Sequence, residues 1–448
     1  MDANALKGKV CVSLEGKGEL RFDFDLSLFS RPSRAYSHSL ATLACAMVAA
    51  GYDRIVRDTA TSSETGCPYT QKGLKKVLDA MAFSESLICP TAERDEVSFY
   101  LAFRELTLDG RRHDLFVAAP IGSYKKTWFS NFDPLGRERS CNGGRGYAGD
   151  GEKGAIHLGF ADAREYVWAR ARDFILRYRT GSPIKLFVIG HSRGGATAAL
   201  LAARLISQGG FGEDIPIDPD DIFTYCFAVP NYADTRLVDV RDERFSRIFN
   251  INSPEDLVTA LFPKECGFGR YGVTYSFFGP DDLSVKDYAN EKAAMAGFFS
   301  VYRPSRPYAP YRNGSASVNA VVKAVASSMA DMDVFYRKRL RLCFRKATPY
   351  EYFRDTLCSF VGGADGPEDE RRRDRAQKLL IASALDPIGT CRAFRRISAF
   401  FIFSQGLAGA TGGKLGGEYF NDAHIIETYL AYMMSMTEEQ LLKEQTMK

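Results

Sequence analysis

The chain has 448 residues, of which 45% are hydrophobic and 25% charged, a globular composition that excludes collagen-like, disordered and small disulfide-scaffold classes. Its length exceeds the usual ceiling for a single core, so two domains or one domain enlarged by an insertion are expected. With 59 basic against 55 acidic residues the net charge is +4, which excludes the strongly basic footprint of a dedicated nucleic-acid binder.

In chain order, Lys9 to Phe24 reads as a β-hairpin: Val10, Val12 and Leu14 alternate, Gly16-Lys17-Gly18 turns, and Leu20, Phe22 and Phe24 alternate again. Tyr36 to Ala50 and Gln71 to Met81 predict helices, with Gly51 closing the first. A second hairpin joins Val97 to Leu108 with Asp114 to Pro120 through the turn dipeptide Asp109-Gly110. After the Gly-rich loop Cys141 to Gly154, the pattern predicts a strand (Ala155 to Leu158), a helix (Asp162 to Tyr178), a strand (Lys185 to Ile189) and a helix (Gly194 to Ser207). Further strands follow at Ile222 to Ala228 and Phe245 to Asn252. Strands alternating with helices predict an α/β fold whose central sheet is mostly parallel and covered on both faces. From Ser284 to Gly413 strand alternation stops, and the segment reads as a helical insertion or cap. The expected division is a core of 1–283 with 414–448, interrupted by a helical cap at 284–413.

No uncharged run is long enough to span a membrane, and the first residues lack the apolar stretch of a secretory signal. The expectation is a soluble chain, cytoplasmic as written or exported if a signal was removed. Ten cysteines are scattered without a C-x-x-C pair, and no histidine cluster has ligand spacing, so no metal or organic cofactor is implied. They read as reduced buried thiols, or as a few disulfides in an exported protein. Gly144-x-Gly146-x-x-Gly149 has the dinucleotide spacing but follows a polar stretch instead of a buried strand, so nucleotide binding is not expected.

The most informative stretch is Lys185 to Gly195. A buried strand runs into Gly190-His191-Ser192-Arg193-Gly194, the G-x-S-x-G nucleophile elbow, and an Ala/Leu-rich helix follows at once. Gly190 and Gly194 are required because a side chain two residues either side of the serine would collide with the adjoining strand or helix. A serine hydroxyl needs a base, and in this arrangement the order along the chain is Ser, acid, His. Of five histidines, His38, His113, His157, His191 and His424, only His424 follows Ser192. It sits where a loop opens the C-terminal helix. The acid is expected in the loop after strand Phe245 to Asn252, where Asp256 is the choice and Glu255 the nearest rival. The oxyanion needs two backbone N–H donors: one is Arg193, at the helix N-terminus, and the other is expected from the Gly122-Ser123 turn.

These motifs resemble the class 3 lipase branch of the α/β-hydrolases, especially its bacterial members. That family's R-G-T turn and W-x-x-N are similar to Ile121-Gly122-Ser123 and Trp128 to Asn131 here. Its H-x-G-F is similar to His157 to Phe160, its G-H-S-L-G-G to Gly190 to Gly195, its F-G-x-P to Phe227 to Pro230, and its D-x-V to Asp256 to Val258. The resemblance covers about Asp95 to Pro263 and the region of His424. It implies an α/β-hydrolase with a Ser192, Asp256, His424 triad and with Ser123 and Arg193 at the oxyanion hole. The activity implied is hydrolysis of carboxylic esters, acylglycerols or related lipids, with a phospholipase A1, thioesterase or acyltransferase as alternatives sharing the triad, and a silent binding module as the rival from outside enzymes. Arg193 stands where the family has leucine, and its charge is expected either to meet an acidic head group or to pair with a carboxylate. Ile121 stands in place of an arginine. In the cap, six of the ten residues from Arg337 to Lys346 are basic. That stretch, 334–346, reads either as a cap helix with a solvated basic face or as a contact with an anionic lipid surface.

Overall fold

The computed structural model of the chain describes residues 6–12, 20–55, 72–89, 97–121, 156–235, 239–260, 268–277, 285–302 and 423–446. The readings placed on Leu14 and the Gly16-Lys17-Gly18 turn, Gly122, Ser123, the Trp128 motif, the glycine-rich loop, 334–346 and the rest of the expected cap beyond residue 302 lie outside these residues.

The first hairpin forms as strands β1 (Lys7–Val12) and β2 (Leu20–Asp25), paired antiparallel with Val10 opposite Phe22. Helices α1 (His38–Ile55) and α2 (Lys72–Ala80) follow, then the antiparallel strands β3 (Glu85–Cys89), β4 (Ser98–Leu108) and β5 (Arg111–Ile121). Asp109 and Gly110 adopt φ of 48° and 77°, the left-handed pair that a two-residue hairpin turn demands. From β5 the chain runs one way across the sheet. Helix α3 (Leu158–Tyr178) leads to β6 (Ile184–His191), and α4 (Arg193–Gln208) leads to β7 (Ile222–Phe227). A short ladder joins β8 (Ala233–Asp234) to β10 (Phe268–Gly269), while β9 (Ile248–Asn252) and β11 (Val273–Ser276) complete the main sheet. Its order is β11-β9-β7-β6-β5-β4-β3, with every pairing from β5 to β11 parallel. Three helices close the described chain: α5 (Val285–Tyr302), α6 (Ile426–Ser435) and α7 (Glu438–Thr446).

The central strand explains why the sheet is buried on both faces. All eight residues of β6 are buried, and they divide by parity. Phe187 and Ile189 enter one apolar cluster with α1 and α6, whereas Leu186 and Val188 enter another with α3 and α4. Alternate side chains of a strand point to opposite faces, so one apolar run feeds two cores. Each fully buried aromatic or aliphatic side chain contributes about 1.5–3 kcal/mol of hydrophobic stabilisation.

Four expectations are corrected. Gly51 does not end the first helix, which continues to Ile55. A Cβ there would lie 2.5 Å from Ile121 Cδ1, so this glycine lets α1 approach β5 closely. The strand expected at Ala155 to Leu158 is a single bridge, Ile156 to Ala233, because α3 already starts at Leu158. The strand expected from Phe245 starts at Ile248. The side chain of Asp242 accepts from the Arg244 N–H at 2.9 Å and winds Glu243–Phe245 into a 3₁₀ turn. Strands β3 and β11 were not expected from alternation; both are edge strands, short and only partly buried.

Candidate active site

Ser192 follows the carboxyl end of β6 at the turn into α4, with φ of 59° and ψ of −128°. A non-glycine residue in that region costs of order 1–3 kcal/mol and persists only where its surroundings enforce it. Here the Ser192 N–H donates to the Phe227 carbonyl at 2.9 Å, and the Ser192 carbonyl accepts from Ala196 N–H at 3.0 Å. The glycines supply the remaining space. A Cβ on Gly190 would lie 2.4 Å from the Gly194 carbonyl oxygen, and one on Gly194 would lie 2.3 Å from that of Pro120. The Ser192 hydroxyl makes no capping bond to its own helix and is directed elsewhere.

It meets His424, whose Nε2 lies 2.8 Å from Ser192 Oγ. The other ring nitrogen, Nδ1, lies 3.0 and 2.9 Å from the two carboxylate oxygens of Asp256. The Asp256 side chain is fully buried while that of His424 keeps 18% of its surface. Asp256 reaches the site on a turn after β9, in which its own N–H donates to the Ser253 carbonyl and its Oδ1 accepts from Val258 N–H. Three residues far apart in sequence therefore form one hydrogen-bonded line at the carboxyl ends of parallel strands, where open α/β sheets hold their ligands. Chemically, such a line can deprotonate a hydroxyl and stabilise the imidazolium that results.

Several contributors were not foreseen. Tyr429 of α6 donates to Asp256 Oδ2 at 2.7 Å and accepts from Ser253 N–H at 3.1 Å. Burial and the neighbouring Asp256 charge push the Tyr429 phenol well up, so it stays a donor. Arg270, half-buried, donates to the Val229 and Thr259 carbonyls and to Asn231. Burial lowers it to about 10, partly offset by Asp256 among other groups, and it remains a cation whose field reaches that carboxylate. His191, next to the nucleophile, is held well below its usual value by burial, then by His424, and is neutral. Its Nδ1 lies 2.8 Å from Tyr52 OH and its Nε2 lies 2.7 Å from the His424 carbonyl, so it secures the main chain of the base. Tyr429 and Arg270 belong to no spaced motif that would single them out, and His191, although inside the elbow motif, shows its part only once α1 and α6 are assembled around it.

Burial decides against the head-group alternative for the charge of Arg193. Its side chain is 1% exposed, donates from Nη2 to the Gly159 carbonyl at 3.0 Å and lies over the Phe160 ring. It is turned into the core between α4 and α3, which leaves no solvent-facing charge for a head group. His157, fully buried, stacks on Phe160 at 4.2 Å, so this patch joins α3 to the elbow. Glu255, the rival acid, is bound by Lys292, Tyr288 and Tyr432 and makes no bond to His424.

Close to that group, Glu291 is raised from 4.5 to about 7 by burial, against the opposing pull of Lys292. One of its carboxylate oxygens is buried without a hydrogen-bond partner among the described residues. Because its folded value is above its unfolded one, its contribution is favourable at low pH and is lost as pH rises through about 7. Glu291→Gln is therefore expected to match the wild type in thermal stability at pH 4 and to exceed it at pH 8. Paired melting curves across that range check the sign.

Among the described residues no group of three or more His, Cys, Asp or Glu is placed to hold a metal ion. Nor is any described helix long and apolar enough to cross a membrane. Cys11, Cys45, Cys89 and Cys226 are free thiols.

Residues 122–266 match the family model described as Lipase (class 3). No curated protein matches the chain. Similar solved structures include a mono- and diacylglycerol lipase from Aspergillus oryzae, at 19% identity and a TM-score of 0.36, covering 56% of this chain and 84% of that one. A lipase from Rhizopus microsporus var. chinensis is 16% identical with a TM-score of 0.33, covering 53% of this chain and 73% of that one. The Rhizomucor miehei lipase propeptide complex is 19% identical with a TM-score of 0.32, covering 54% and 69%.

Proposed function

We propose that this chain, a class 3 lipase-like α/β-hydrolase through residues 122–266, is a serine hydrolase that cleaves carboxylic esters, with acylglycerols or related lipid esters as its substrates. The observation that carries the reading is the line Asp256, His424, Ser192, joined at 2.9 and 2.8 Å. Ser192 Oγ attacks the acyl carbon while His424 Nε2 takes its proton, and the same nitrogen returns that proton to the departing alcohol. Water then enters by the same route and releases the acid. Asp256, held by Tyr429, orients the imidazole and balances its charge. The oxyanion is received by the Arg193 N–H at the N-terminus of α4, with Ser123 as second donor after β5. The proximity of Gly194 to Pro120 and Ile121 supports that second assignment, since β5 then ends against the elbow. The basic stretch 334–346 is the proposed contact with an anionic lipid surface.

A fluorophosphonate probe tests the nucleophile: the wild type should be labelled on Ser192, and an unlabelled wild type would sink the reading. p-Nitrophenyl esters from acetyl to palmitoyl then test the substrate class. Activity that rises with chain length and at a lipid interface is expected. Strict preference for acetyl would remove the lipid assignment, and faster turnover of a matched thioester or phospholipid would replace it.

A further inference from the structure

The residue next to the acid has its own set of partners, and they come from both sides of the longest stretch outside the described chain. Glu255 and Lys292 form an ion pair at 2.6 Å with side chains 4% and 1% exposed. Tyr288, one turn before Lys292 on α5, donates to Glu255 Oε1. Tyr432 of α6 donates to Oε2 at 2.9 Å, and Lys292 Nζ also donates to the Tyr432 hydroxyl. The ammonium lies 4.9 and 4.5 Å from the centres of the Tyr288 and Tyr432 rings. Phenols three residues apart on α6 thus hold two adjacent carboxylates, Tyr429 on Asp256 and Tyr432 on Glu255.

Such a cluster is a poor device for stability alone. Taking a carboxylate and an ammonium out of water offsets most of their attraction, and apolar residues of equal volume would pack as well. What it does supply is direction, because Glu255 Oε1 accepts from Tyr288 of α5 while Oε2 accepts from both Lys292 of α5 and Tyr432 of α6, so one carboxylate ties two helices to the turn. Moreover, α5 is the last described element before 303–422 and α6 begins just after His424.

We propose that Glu255 and Lys292 are positioning residues of the ester-hydrolase site, which clamp the helices before and after 303–422 to the Asp256 turn and thereby hold Asp256 on His424. This rests on the function proposed above. A shift of the turn by a fraction of an ångström would move Asp256 off the imidazole and leave the imidazolium less stabilised, while the substrate-binding surface is untouched.

The test compares wild type with Lys292→Met, Glu255→Gln, Lys292→Arg and Tyr432→Phe on p-nitrophenyl butyrate, after fluorophosphonate labelling has counted active sites in each. Lys292→Met and Glu255→Gln are expected to lower kcat roughly 10- to 100-fold with KM little changed, the penalty of small misplacement. The base pKa in the kcat/KM profile should fall in both, since a displaced Asp256 favours the protonated imidazole less. Lys292→Arg should restore part of each effect. Profiles are repeated with Glu291→Gln, which removes the other carboxylate facing Lys292 and its titration near pH 7. Tyr432→Phe keeps the ion pair and the fold, and should show the same downward pKa shift at smaller amplitude if the charge variants do not fold. Folded variants with unchanged kcat and an unchanged profile, Tyr432→Phe included, would overturn the proposal. An unlabelled, inactive wild type would instead end the hydrolase reading itself.

Discussion

Ser192→Ala is expected to lower kcat for p-nitrophenyl butyrate by roughly six powers of ten while leaving the melting temperature within a few degrees of wild type. Among the described residues the hydroxyl is bonded to His424, so its loss removes the nucleophile and little packing. His424→Ala should cost about as much. The double variant should be no worse than either, because the two act on one proton transfer. Asp256→Asn should cost about ten-thousandfold, since an amide donor facing Nδ1 enforces the wrong tautomer. A residual rate about a thousandfold above water is expected from the oxyanion donors alone. Additive losses in the Ser192/His424 double variant would mean that the 2.8 Å contact is not the path of the proton. A His424→Ala enzyme within tenfold of wild type would remove it from the proposed triad.

How far the sequence led to this site depends on the kind of constraint each residue answers. The elbow was legible because its constraint is local: a tight strand-to-helix turn leaves Gly190 and Gly194 no room for a Cβ, and that demand is written within five residues. His424 was legible by order along the chain, since no other histidine follows Ser192. The choice between Glu255 and Asp256 was of another kind. Both are buried, both are carboxylates, and what separates them is which helix each one meets: Tyr429 and His424 for Asp256, Lys292, Tyr288 and Tyr432 for Glu255. Near residue 255 only the resemblance of Asp256 to Val258 to D-x-V pointed to the acid, and nothing there showed these partners. The direction of the Arg193 side chain was hidden for the same reason, because the Gly159 carbonyl and the Phe160 ring that meet it lie on a separate helix. In the fold, fully buried central strands such as β6 and β7 were clear from continuous apolar runs, whereas the edge strands β3 and β11 gain too little burial to impose alternation.

The steric demand at the elbow gives the second large effect. Gly194→Ala is expected to destabilise the protein by at least about 4 kcal/mol, in the exceptional range for one methyl group. Its Cβ would lie 2.3 Å from the Pro120 carbonyl oxygen, 2.6 Å from the Pro120 carbonyl carbon and 2.7 Å from that of Ile121. All three are backbone atoms of β5, an interior strand of the seven-stranded sheet paired on one side with β4 and on the other with β6. A flexible side chain could turn away, but Pro120 and Ile121 are backbone paired with Phe99 and Ser98 of β4, just beyond the last β6 pair at Ala118, and this end of the strand moves only by disturbing that ladder. Since folded domains have about 5–15 kcal/mol in hand, such a loss is expected to leave little soluble protein at 37 °C. Gly297→Ala is the control. It lies inside α5 with nothing within 4 Å of the added Cβ, and alanine there should be neutral or stabilising by up to about 1 kcal/mol. Thermal melts of the two variants beside wild type decide the matter, and a Gly194→Ala protein melting with the wild type would show that β5 and the elbow are not in the contact on which the second oxyanion donor depends.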